Sequence, residues 1–68
     1  MNSFYDVLQL LKRFGVIIYT GNKKQDSILM ESEIKELFDH QFIDQQTYMQ
    51  AVLVLRKEQK NDSFPNKL

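Results

Sequence analysis

Three apolar stripes at helical spacing, divided by two short turn regions, fill a chain of only 68 residues. That pattern constrains the fold more than any other feature. One stripe cannot bury itself, so each must pack against the other two. The first runs from about Ser3 to Phe14, with Phe4, Val7, Leu8, Leu11 and Phe14 on one arc and Leu10 on its flank. Ser3 is a good N-cap, and Asp6 three residues later completes a capping box. Gly15 supplies a left-handed C-cap, and Lys12 and Arg13 suit the negative end of the dipole.

Val16-Ile17-Ile18-Tyr19 is β-branched and short. No second run offers it a strand partner, so its backbone groups would go unpaired in a sheet. A packed, extended connector is expected. The turn Thr20-Gly21-Asn22-Lys23-Lys24 leads into the second helix. Asn22 with Gln25 could cap that helix, or Asp26 could cap a later start, which leaves its beginning open between Lys23 and Ser27. It runs to Asp39 or His40, with Met30, Ile34, Leu37 and Phe38 buried, Ile28 continuing the face, and Glu31 paired with Lys35.

Asp44 caps the third helix, and Ile43 with Tyr48 forms a hydrophobic staple across its start. Tyr48, Ala51, Val52 and Leu55 mark one face. Met49, Leu53 and Val54 widen it, which predicts a central helix covered on more than one side. The expectation is an all-α, small three-helix bundle with antiparallel helices over residues 1–60, and a flexible C-terminal tail over 61–68. A single core of this size is marginal, and dimerisation would help it.

Composition narrows the chemistry. There is no cysteine, so disulfides and thiolate metal sites are excluded. His40 is the single histidine, and no Gly-x-Ser-x-Gly elbow exists. An enzyme is not expected, nor a cofactor. Glu33, Glu36 and His40 share one face but lack a Glu-x-x-His pair, so they read as a solvated acidic surface and not as a metal site. No apolar run could span a bilayer, and the first residues have no charged leader, so a cytoplasmic protein is expected.

Nine basic and nine acidic side chains cancel. Along the chain they separate: residues 1–25 sum to +3, 26–44 to −5 and 45–68 to +2. A local basic surface therefore survives the zero total. Tyr5, Lys12 and Arg13 on the first helix, with Tyr19, Lys23 and Lys24 after it, combine stacking rings with cations, as surfaces for single-stranded nucleic acid do. The competing reading is that the tyrosines edge the core and the lysines solubilise. A second class of partner is another protein or a further copy of this chain, docking on Met49, Leu53 and Val54.

Phe4-Tyr5-Asp6-Val7, Leu10-Leu11-Lys12, Phe14-Gly15 and Ile18-Tyr19-Thr20-Gly21-Asn22 resemble the YqgQ-like family of small bacterial cytosolic proteins of uncharacterised function. Leu29-Met30-Glu31, Glu33-Ile34, Glu36-Leu37 and Leu55-Arg56 continue the similarity, which covers about residues 2 to 58. The resemblance implies a three-helix bundle and a suggested role in binding single-stranded nucleic acid. The positions that fit that role are Tyr5, Lys12, Tyr19, Thr20 and Asn22, with Lys23 and Lys24 matching as a basic turn. One departure is Gln41, where a glycine is expected between the second and third helices; glutamine takes a left-handed conformation at greater cost.

Overall fold

A computed structural model describes residues 1–61 of the chain. They form three helices: α1 (Phe4–Arg13), α2 (Lys23–Asp39) and α3 (Gln45–Asn61). No strand occurs among the described residues. Asn61, assigned above to the tail, closes α3, and residues 62–68 lie outside the described residues.

α1 begins and ends as its sequence dictates. The Asp6 N–H donates to Ser3 Oγ at 3.2 Å, and the Asn2 and Ser3 N–H groups donate to Asp6 Oδ2 at 3.0 and 3.3 Å. These bonds, the Asn2 N–H first, hold the Asp6 carboxyl below its ordinary pKa of 3.8. At the other end Gly15 takes φ +79°, and the N–H groups of Gly15 and Val16 bond the carbonyls of Lys12 and Leu11. That is a Schellman motif, which satisfies two of the helix's orphan carbonyls. A helix of ten residues is marginal alone, so α1 depends on burying Val7 and Leu11. Phe14 departs from the expected core arc: it is exposed, and its ring lies 5.9 Å from that of Phe42.

The connector Val16–Thr20 is extended, with Val16 and Ile18 half-buried and Ile17 and Tyr19 turned outward. Its length decides the topology. The six residues from Val16 to Gly21 reach about 20 Å at ~3.3 Å each. α1 rises only about 15 Å over its ten residues. The chain therefore climbs back past α1 before α2 starts, which sets α1 and α2 parallel. Contacts agree: Lys23, the first residue of α2, sits over the Phe4 ring at the start of α1. The expectation of antiparallel neighbours holds for α2 and α3 and fails for α1 and α2, because the connector is long enough to return.

α2 starts at Lys23, with Asn22 Oδ1 accepting the Gln25 N–H at 2.9 Å. Asp26 cannot cap a later start, because its carboxylate is already engaged. It is only 5% exposed, and its Oδ1 accepts both the N–H and the hydroxyl of Thr20 at 2.7 and 2.6 Å. Ser27, Met30, Ile34 and Leu37 line the buried face, whereas Ile28 is exposed. Its C-terminus repeats the motif of α1: the N–H groups of Gln41 and Phe42 bond the carbonyls of Phe38 and Leu37. Gln41 takes φ +64° to do so, so the position does adopt the conformation that glycine favours.

α2 and α3 pair along most of their length. Phe38 stacks on Tyr48 at 4.3 Å, and Arg56 and Gln59 donate to Glu31 at 3.0 to 3.2 Å. Glu31 therefore reaches across to α3, and Lys35 pairs with Asp39 instead, which raises the lysine's pKa. Asp44 caps α3 by accepting the Thr47 N–H at 2.8 Å, and that hydroxyl-bearing residue holds the Asp44 carboxyl below its ordinary pKa. Ala51 and Leu55 complete the core with Val7, Leu11, Met30, Ile34 and Leu37. α3 is not covered on several sides as its width suggested: Met49 is 53% and Leu53 68% exposed. No helix among the described residues is long and apolar enough to cross a membrane.

Candidate nucleic-acid interface

Parallel α1 and α2 place both helix starts at one end of the bundle, beside the last turns of antiparallel α3. Side chains from all three elements meet there in an open groove of about 580 Å3. Asn2, Ser3, Phe4, Tyr5 and Leu8 form one wall, Val54, Lys57 and Glu58 the other, and Lys23 stands at the end. The Lys23 ammonium lies 5.1 Å from the Phe4 ring centroid and 4.0 Å from Glu58 Oε1. The lysine is largely exposed in both, so they contribute little to stability. They do orient the lysine over the groove. Tyr5 is 64% exposed on the same rim.

The eight residues singled out from sequence divide into four groups. Tyr5 and Lys23 come together in the groove, and Lys24 follows Lys23, exposed, in the first turn of α2. Lys12 and Arg13 are exposed in the last turn of α1, at the opposite end. From Phe4, which Lys23 covers, to Lys12 the helix rises about 12 Å. The two basic pairs therefore do not converge. Thr20 and Asn22 are bound into the fold, Thr20 by Asp26 and Asn22 by the α2 amide it caps. Tyr19, 84% exposed, stands on the connector next to Thr20.

Lys57 is the groove residue that sequence reading did not select. In the sequence it belongs to a basic helix end, where it suits the dipole. Only the α2–α3 register and the position of α1 bring it alongside Tyr5 and Lys23. The signal available beforehand was the charge order: the +3 and +2 segments flank the acidic one, so an α2–α3 hairpin returns the basic end of the third helix to the basic start of the second. Chemically, the groove offers one exposed phenol ring and two ammonium groups, with Glu58 as its carboxylate. That set can stack on a planar ring and neutralise one or two anions.

Comparison with known proteins bears on the whole described region. The family model described as YqgQ-like matches residues 1–61. The chain is 47% identical over 58 residues to the uncharacterised protein YqgQ of Bacillus subtilis (strain 168), covering 85% of this chain and 82% of that protein.

Proposed function

The chain belongs to the YqgQ-like family, and on that premise we propose that it is a non-enzymatic binding module that takes single-stranded nucleic acid at the groove of Tyr5, Lys23 and Lys57. The observation that carries this reading is that an exposed tyrosine and two lysines line one open groove. Base stacking on an exposed ring contributes about 1–3 kcal/mol per base and tolerates any sequence. The lysines add phosphate contacts and a dependence on salt. Ring stacking and phosphate neutralisation carry no base-edge readout, so these contacts imply no sequence specificity. Its setting in this reading is the cytoplasm. Lys12 and Arg13 belong to a second contact at the far end, reached only by a longer strand.

The test is fluorescence anisotropy of a labelled single-stranded oligonucleotide at several salt concentrations. Affinity should fall as salt rises. Replacing Lys23 and Lys57 together by alanine should weaken binding and reduce the logarithmic salt slope by about 1.4, at ~0.7 per phosphate contact. Tyr5→Ala should weaken binding and leave the slope unchanged. No binding at low salt, or a Lys23→Ala, Lys57→Ala protein that binds as wild type does, overturns the reading.

A further inference from the structure

The connector Val16–Thr20 is an extended, β-branched run, and no strand lies beside it among the described residues. Val16 and Ile18 turn inward. Ile17 and Tyr19, 76% and 84% exposed, are the two most exposed large apolar side chains of the described fold. An extended chain also has two edges: the N–H and C=O of one residue point to the same side, and successive residues alternate. The edge of Val16 and Thr20 is tied into the fold. The Val16 N–H donates to the Leu11 carbonyl at 3.0 Å, and the Thr20 N–H to Asp26 Oδ1 at 2.7 Å. The opposite edge belongs to Ile17 and Tyr19, and among the described residues nothing hydrogen-bonds the backbone of either. Two donors and two acceptors are left to solvent along one side of the strand, which is the template onto which a further extended chain adds.

The surroundings of that edge select the chain that fits it. Exposed Lys12 and Arg13 close α1 just before the connector, and exposed Lys24 stands in the first turn of α2 just after it. A second copy laid antiparallel on the edge would bring the Lys12 and Arg13 end of each connector to the Lys24 end of the other, like charge against like. Basic residues beside a short edge work against self-pairing in this way. The same charges attract a strand that is acidic at its ends. Directly opposite Ile17 and Tyr19, cross-strand packing favours β-branched apolar side chains.

We infer that the connector is a docking edge for another protein, which adds an extended segment to Ile17 and Tyr19. That segment carries β-branched apolar residues at alternate positions and acidic residues at both ends. Backbone hydrogen bonds hold it, and the basic residues at the two ends of the connector set its charge. A contact this short is weak and transient. The inference is independent of the groove reading, since neither Ile17 nor Tyr19 lines the groove.

The probe is a synthetic peptide, Glu-Glu-Val-Thr-Val-Thr-Val-Glu-Glu, titrated into isotope-labelled protein while amide resonances are followed. The amides of Ile17 and Tyr19 should shift most and gain protection from exchange, and those of Tyr5 and Lys57 in the groove should stay in place. In a strand added to this edge the valine N–H groups face the connector and the threonine N–H groups face away. N-methylation of the valines should therefore weaken binding about fivefold for each lost bond, and N-methylation of the threonines should not. A peptide with lysine in place of glutamate should bind about tenfold more weakly at low salt. Tyr19→Pro removes one free donor and keeps an extended backbone, so its circular dichroism should match wild type while binding falls about fivefold. No shift at millimolar peptide overturns the inference. So does equal binding of the lysine peptide, an equal effect of the two methylation patterns, or a shift centred on Tyr5 and Lys57 in place of Ile17 and Tyr19.

Discussion

Gln41→Gly should stabilise this protein, and the size of the effect follows from backbone geometry. Gln41 holds φ +64° at the end of α2, and its N–H and that of Phe42 close the helix with bonds of 2.9 and 2.8 Å. The left-handed conformation costs a residue with a Cβ about 1–2 kcal/mol. Glycine is free of that strain, but it gives the unfolded chain more freedom, which offsets about 0.4–1 kcal/mol. The net gain is about 0.5–1 kcal/mol. In a domain this small, that raises Tm by about 3–6 °C. The side chain of Gln41 is exposed and lies outside the core cluster, so little packing is lost. Thermal melts followed by circular dichroism at 222 nm measure the change. Gly15→Ala, at φ +79°, is the reciprocal control and should lower Tm. If Gln41→Gly leaves Tm unchanged or lowers it while Gly15→Ala also does nothing, helix termination is not where the strain resides and the reasoning fails.

Asp26→Ala should cost about 2 kcal/mol, since it removes a nearly buried carboxylate that accepts two hydrogen bonds from Thr20, and the connector should lose hydrogen-exchange protection before the helices do. Leu11→Ala removes a fully buried side chain and should cost about 3 kcal/mol; urea titration should then show a protein near the edge of folding. Acid should weaken the fold through Asp6 and Asp44. Both have lowered pKa values in the folded state, so their contribution is present above the ordinary value of 3.8 and is lost as pH falls through the lower folded values. An acid titration of helicity checks the sign, and Asp44→Asn should flatten part of it. Lys35 runs the opposite way: its raised pKa makes its small contribution present below 10.5 and lost only above the folded value.

How much of this was legible beforehand depended on distance along the chain. α1 was readable because its signals are local: Ser3 and Asp6 meet three residues apart, and Gly15 ends the helix where it stands. The start of α2 was ambiguous because Asn22 and Asp26 are both capable caps, and the choice turns on Thr20 occupying Asp26. Helix direction was not legible, since apolar periodicity defines a face and carries no sense along the bundle. The pairing of Glu31 with Arg56, across 25 residues, overrode the nearer Lys35 for the same reason. In the groove, Tyr5 and Lys23 could be named from residue type, whereas Lys57 and the separation of Lys12 and Arg13 required the topology.

The connector's path has a dynamic consequence. α2 and α3 form a local hairpin, whose contacts close a short loop, while α1 reaches both through the extended segment after Gly15. Such an arrangement divides the domain into a hairpin that can form early and a ten-residue helix that docks onto it. Native-state exchange should then find the amides of α1 opening at lower free energy than those of α2 and α3. Because α1 supplies one wall of the groove, each such opening would, on the function proposed above, also release a bound strand. Undocking of α1 would thereby set an upper limit on the residence time of such a strand that owes nothing to the strength of the contacts themselves.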